Sequence, residues 1–251
     1  DGGPHQAIKT GETWSPEFKV HEVASTMWYH SHQVHETAAQ VWAGLAGLIV
    51  IDDDESAGLP MPSDYGVDDI PIVLQDRRFQ RDGSMPYQAS MHDEMAGMVG
   101  NIPVINGTVL SHFTVTTEKL RIRLLNGSNG SIYNLAFADG RSFVQIASDG
   151  GLLAAPVPMS GLRLAPGERA EIVVDFGAGE TVLLQSVAAN SRSGMGMGMM
   201  AEQSPQFDLI EFRATGPLKS SPSIPETLAG LAAVSESDAV RTRRFLLEMP
   251  G

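Results

Sequence analysis

The chain has 251 residues, 42% hydrophobic and 19% charged, with a formal net charge of −13, a balance that suits a soluble globular protein with a good core. Its acidity argues against non-specific nucleic-acid binding, which needs a basic face, and no apolar run reaches the length of a membrane span. Cysteine is absent, which excludes a disulfide framework, a zinc–thiolate site and a cysteine nucleophile.

The chain opens on "DGGPHQ", with no initiator methionine and no charged-then-apolar leader; an export signal, if one is used, is expected upstream or already removed. "FKVHEV" (18–23) alternates in part and reads as a strand. "TMWYHSHQVHE" (26–36) then places three of the seven histidines within six residues. Histidines two apart on a strand project from one face, roughly 6–7 Å apart along the chain, while Ser31 points the other way. That spacing suits two imidazoles addressing two neighbouring metal ions, or one ion from two sides, and imidazole suits copper, zinc and iron. A bare H-x-H also arises often by chance. His35, displaced by three, reads as a polar loop residue, and His5, in a Gly-Pro loop, as a non-ligand.

"ETAAQVWAGLAG" (36–47) allows one or two helical turns, and its glycines oppose a long helix. "GLIVID" (47–52) is an apolar run of strand length. The acidic, proline-containing stretch 52–69 reads as a boundary. Beyond it come "IPIVLQD" (70–76), "IPVING" (102–107), "LRIRLLN" (120–126), "YNLAFA" (133–138), "SFVQIAS" (142–148), "AEIVVDF" (170–176), "TVLLQSV" (181–187) and "FDLIEF" (207–212). Short strands separated by turn signals read as an all-β sandwich or barrel. "LRIRLLN" alternates apolar and basic residues, as a strand with one wet face should. "ATGPLKSSPSIPE" (214–226) reads as linker, and "RTRRFLLEMP" (241–250) as a lone strand.

Residues 1–53 are too few for a whole sandwich of about 100 residues, whereas 70–213 suffice for one. The expected organisation is the end of a first domain in 1–53, a linker in 54–69, a complete second domain in 70–213, and a linker with the first strand of a third domain in 214–251. The chain therefore reads as a piece cut at both ends. Two methionine groups, "MHDEMAGM" (91–98) and "GMGMGMM" (194–200), invite a Cu(I) site, since thioethers favour monovalent copper. The i, i+4, i+7 spacing of Met91, Met95 and Met98 is nevertheless more often one packed face, and the segment Met195 to Met200 reads as extended and glycine-rich.

"STMWYHSH" followed by "QVWAGLAGLIVIDD" resembles the second histidine motif of the multicopper oxidases. "DGGPHQAIKTG" is similar to the segment after that family's first histidine motif. "YGVDDIPIVLQDRRF" (65–79), "IRLLNGSN" (122–129), "ASDGGLL" (147–153) and "LAPGERAEIVVDF" (164–176) resemble its middle domain. The likeness covers nearly the whole chain and is nearest to the bacterial copper-efflux, or cuprous, oxidases of the three-domain laccase-like type. It implies an all-β fold of cupredoxin-like Greek-key β-sandwiches: part of domain 1, all of a metal-free domain 2, and the start of domain 3. It further implies an exported, periplasmic enzyme that takes single electrons from a reducing substrate, Cu(I) or a phenol-like donor, and reduces O2 to water at a trinuclear copper cluster. By that match His30 and His32 each bind one copper of the type 3 pair, Asp1 relays protons near the cluster, and Trp28 and Tyr29 pack around it. The remaining ligands, including the cysteine of the type 1 copper, would come from the rest of the same polypeptide. The isolated chain is expected to bind copper weakly and to be inactive. A copperless relative of the same fold, a cell-division or envelope scaffold, is the alternative; retention of both His30 and His32 favours the oxidase. A zinc hydrolase built on the pair finds no nearby third ligand and no general base at useful spacing.

Overall fold

The computed structural model describes residues 7–188, 204–231 and 234–246. Asp1, His5 and the segment Met195 to Met200 lie outside the described residues.

The first unit is a hairpin. Strands β1 (Ser25–His30) and β2 (Ala46–Ile51) pair antiparallel, with Thr26 opposite Val50, Trp28 opposite Leu48 and His30 opposite Ala46. The six-residue helix α1 (Thr37–Trp42) fills the connection and is released at Gly44, whose φ of +106° suits glycine. So short a helix needs tertiary support, and Trp42 provides it. The indole is buried, its Nε1 donates to the Met85 carbonyl at 2.9 Å, and the Arg77 guanidinium lies 5.2 Å above its ring. Arg77 also donates to the Val41 carbonyl at 3.1 Å, placing a cation at the helix's C-terminal end. Helix α2 (Asp54–Ala57) follows, capped reciprocally by Asp53 and Ser56.

Two sheets form the main body. The first uses β3 (Asp69–Arg77), β4 (Ile102–Ile105), β6 (Lys119–Asn126), β8 (Phe143–Ser148), β9 (Gly151–Met159) and β11 (Arg169–Asp175), in the order β4-β3-β6-β11-β8-β9. The second uses β5 (Ser111–Thr114), β7 (Tyr133–Phe137), β10 (Leu162–Leu164), β12 (Glu180–Ser186) and β13 (Phe207–Ala214), in the order β10-β7-β12-β13-β5. Helix α3 (Met91–Ala96) sits between β3 and β4 in sequence. The apolar faces of the two sheets enclose one core. Ile72, Leu74, Leu120, Ile122 and Leu124 line it from one side and Leu184 and Phe212 from the other. Phe212 is its hub, with ring centroids 5.5 Å from Phe176, 6.3 Å from Phe137 and 6.5 Å from Phe113.

Three local expectations are corrected. Residues 18–23 form no strand: Phe18, Val20 and Val23 are exposed, and among the described residues no strand pairs with them. The alternating arginines of β6 face no water. Arg121 and Arg123 are 5% and 2% exposed, because the hairpin covers that face and because carboxylates stand beside them on both neighbouring strands. Glu171 of β11 is opposite Arg123, and Asp69 of β3 is opposite Arg121. Finally, Met91 and Met95 are 79% and 71% exposed while Met98 is buried, so the three do not share one packed face. The described residues 241–246 run exposed and without strand pairing.

Candidate metal centre

The buried charges of β6 fix where the hairpin sits. Arg123 makes a two-pronged contact with Asp69, Nε to Oδ1 and Nη2 to Oδ2, both at 2.7 Å. Its Nη1 donates to Glu171 at 3.1 Å and to the Thr26 hydroxyl at 3.0 Å. Thr26 in turn donates to Glu171 at 2.7 Å, and Arg121 donates to the other oxygen of that carboxylate at 2.7 Å. Each buried charge thus meets an opposite charge with good hydrogen-bond geometry, which such groups require. Burial and the Asp69 contact oppose each other at Arg123, and its pKa lies above the usual arginine value. Arg169 adds a second tie: it donates to the Thr26 carbonyl at 3.0 Å and the Asp149 carbonyl at 2.8 Å and pairs with the Asp149 carboxylate.

From this anchored register β1 presents a short stack of rings. The turn at Gly167, with φ +83°, lies against Trp28; a Cβ there would meet the indole Cζ2 at 3.3 Å. Trp28 stacks on His30 with centroids 4.2 Å apart and planes 25° apart. His30 lies 5.4 Å from the His32 ring, tilted by 35°. The strand itself ends at His30, so His32 is carried by the following loop. That loop is knitted to α1: the Ser31 hydroxyl bonds Gln40, and the Gln33 carbonyl accepts from the Thr37 amide at 3.1 Å and the Thr37 hydroxyl at 3.0 Å. Ser31 therefore bonds toward the helix while the two imidazoles stand side by side. His35 occupies an exposed loop position with φ +68°. Tyr29 is half exposed and lies over Gly47, where a Cβ would meet its hydroxyl at 2.5 Å.

The tautomer of His30 follows from its partner. Nδ1 is 2.8 Å from the Ser31 carbonyl oxygen, which can only accept, so Nδ1 carries the hydrogen and Nε2 keeps its lone pair. A ligating histidine is held the same way, by a backbone carbonyl on its other nitrogen. His32 is exposed beside it. Two imidazoles at this separation fit copper as part of a ligand set. They are not a complete one, since among the described residues no group of three or more His, Cys, Asp or Glu is placed to hold a metal ion. His92 and His112 are exposed on α3 and β5, in other elements of the fold. The Gly167–Trp28 contact was not identifiable as part of the site from spacing; the only signal was a glycine in the turn of "LAPGER".

The fold is a cupredoxin-like β-sandwich beside which a hairpin carries two adjacent imidazoles. Residues 1–56 match the multicopper oxidase family. Among solved structures, the chain resembles the 2F4 variant of the McoA multicopper oxidase from Aquifex aeolicus, with TM-score 0.84 and 34% identity over 95% of this chain and 52% of that one. It also resembles CueO, a bacterial laccase-like multi-copper oxidase from Ochrobactrum sp., with TM-score 0.82 and 37% identity over 96% of this chain and 52% of that one. Among curated proteins it is 37% identical over 251 residues to the cell division protein FtsP of Edwardsiella tarda, covering 98% of this chain and 52% of that protein. The chain spans about half the length of these relatives and solved structures.

Proposed function

We propose that this chain is part of an exported copper oxidase in which His30 and His32 each hold one member of a type 3 copper pair. The reducing substrate would be Cu(I) or a phenol-like donor, and O2 the acceptor. The observation that carries this reading is the juxtaposition of the two imidazoles, 5.4 Å apart, with the Nε2 lone pair of His30 left free. Copper, when bound, supplies one-electron redox chemistry and a place for O2. The chain's own residues do the positioning. Ser31 fixes the His30 tautomer, Trp28 sets its ring plane, and the Thr26–Arg123–Glu171 node fixes the strand. A carboxylate near the cluster would deliver protons to reduced oxygen, the role assigned by resemblance to Asp1. The remaining ligands and the type 1 site are assigned to further polypeptide, so the 251-residue chain alone is inactive on this reading.

The curated relatives named as cell division protein FtsP support a second reading, and their number and shared name favour it: a copper-free scaffold of the same fold acting in division at the envelope. The two separate on one preparation. The full-length protein carrying this chain is expressed with copper, and its metal content, visible spectrum and oxygen uptake are measured. A strong blue band with bound copper and oxygen consumption supports the oxidase. A colourless, copper-free, folded full-length protein overturns it in favour of the scaffold.

A further inference from the structure

Arg77 of β3 carries a buried charge that no carboxylate grips. It is 2% exposed. Its Nη1 donates to the Asp76 carbonyl at 2.7 Å and its Nη2 to the Val41 carbonyl at 3.1 Å, while the guanidinium lies over Trp42. The Asp76 carboxylate is occupied elsewhere: it accepts from the Gly100 amide, from the Ser131 hydroxyl at 2.9 Å and from the Tyr133 hydroxyl at 3.2 Å. Arg121 and Arg123, also buried, are by contrast each paired with carboxylates. Burial accordingly holds the Arg77 pKa below the usual arginine value. A buried cation is costly, and an apolar residue of similar length would avoid that cost. Packing of β3 therefore does not account for a guanidinium at this position.

What the guanidinium holds is α1. The Val41 carbonyl belongs to the last turn of that helix, and Trp42 is its final residue. Asn129, in the loop after β6, adds a bond to the Ala38 carbonyl at 2.8 Å. The same helix fixes the loop that carries His32: Gln40 accepts from the Ser31 hydroxyl, and Thr37 donates twice to the Gln33 carbonyl. The Ser31 carbonyl meets His30 Nδ1 at 2.8 Å. A continuous set of contacts thus runs from β3 through one six-residue helix to both imidazoles. So short a helix has little stability of its own, which leaves its placement to these tethers. We propose that Arg77 is a positioning residue for the His30–His32 pair, setting the separation and tilt of the two rings from the sandwich by clamping the C-terminal end of α1. The consequence for copper rests on the oxidase reading; the consequence for ring geometry does not.

The test is NMR of the histidine rings in the metal-free, full-length protein carrying this chain, with the two signals assigned by His30→Ala and His32→Ala. Arg77→Met keeps an apolar stem and removes the donors and the charge. It should shift both ring signals, while the rings of His92 and His112, on other elements, stay in place. Arg77→Lys keeps the charge but cannot reproduce the planar fork, so it should shift them less far. Leu184→Ala loosens the sandwich core without touching α1 and should leave both rings where they are. Unmoved His30 and His32 rings in folded Arg77→Met, or an equal shift in Leu184→Ala, would overturn the proposal. If Arg77→Met does not fold, Arg77→Lys decides alone, and unmoved rings there overturn it. Where the wild-type protein binds copper, Arg77→Met should also weaken that binding about tenfold, the lower end for loss of an outer partner. A wild-type protein that takes up no copper counts against the oxidase reading and leaves the ring measurement to judge Arg77.

Discussion

The Thr26 hydroxyl and the Arg123 guanidinium, 97 residues apart in sequence, share a buried hydrogen bond of 3.0 Å and converge on the same carboxylate, Glu171. One side-chain hydroxyl therefore ties the hairpin to the charged face of the sandwich. Thr26→Val keeps the shape and removes a donor and an acceptor at once; it is expected to destabilise the chain by about 1–3 kcal/mol. Glu171→Gln, which leaves two buried guanidinium groups sharing Asp69, is expected to cost more, about 3–5 kcal/mol. Urea denaturation of both variants, read by circular dichroism, checks the order as well as the sizes.

Gly167 is expected to affect the candidate site through Trp28. Gly167→Ala forces a side chain into φ +83° and places its Cβ 3.3 Å from the indole. The backbone term alone is about 1–2 kcal/mol. Displacement of Trp28 should also disturb the stacked His30, so the fluorescence of Trp28 and the chemical shifts of the His30 ring should both move. A variant that loses stability while these signals stay in place would separate the turn from the site.

Acid should weaken the fastening of α3. The two-pronged Arg78 contact comes first among the causes that hold the Asp93 carboxyl well below the usual carboxylate range, with bonds from Ser90 adding to it. A depressed folded-state pKa contributes stability that is present above the unfolded value of about 3.9 and lost as pH falls through the folded one. Comparison with Asp93→Asn by urea unfolding should show a full difference at pH 6, little change at pH 5, and a shrinking difference below about pH 4. A difference independent of pH between 6 and 2 would mean that the carboxylate's charge is immaterial.

On the oxidase reading, His30→Ala and His32→Ala in the full-length protein should each lower copper occupancy and abolish oxygen uptake. The loss of affinity should exceed the roughly 10–100-fold that follows removal of an outer-shell partner. His32 is exposed, so its loss should change the melting temperature without copper little, whereas the partly buried His30 also loses its stacking on Trp28. Copper content by mass spectrometry, together with oxygen electrode traces, decides the matter; undiminished uptake in either variant would remove that residue from the site.

The strands legible in the sequence are mainly those with neighbours on both sides. "LRIRLLN", "AEIVVDF", "TVLLQSV" and "FDLIEF" coincide with β6, β11, β12 and β13, all interior to their sheets. β5, β9 and β10, which carried no clear signal, are all edge strands. An edge strand is less enclosed and needs fewer apolar residues, and β9 holds two prolines, which ordinarily argue against a strand. The alternation in "FKVHEV" shows the converse: a pattern forms a strand only where another strand lies alongside. The imidazole pair was legible as a pair. The Trp28 stack and the Ser31 carbonyl contact were not, because both depend on how residues far apart in sequence, or the backbone at the end of a strand, are disposed in space. The basic face of β6 was misjudged because Asp69 and Glu171, its neutralising partners, are distant in sequence.

The prolines of β9 have a consequence for assembly. Pro156 and Pro158 have no amide hydrogen to offer a newcomer, and the Ala154 carbonyl already accepts from the buried Leu228 at 2.9 Å. A foreign strand arriving at this border would find neither a continuous row of donors nor open room, so the six-stranded sheet stops growing there. A chain whose regular structure is mainly strand thereby keeps one flank from templating the addition of another copy.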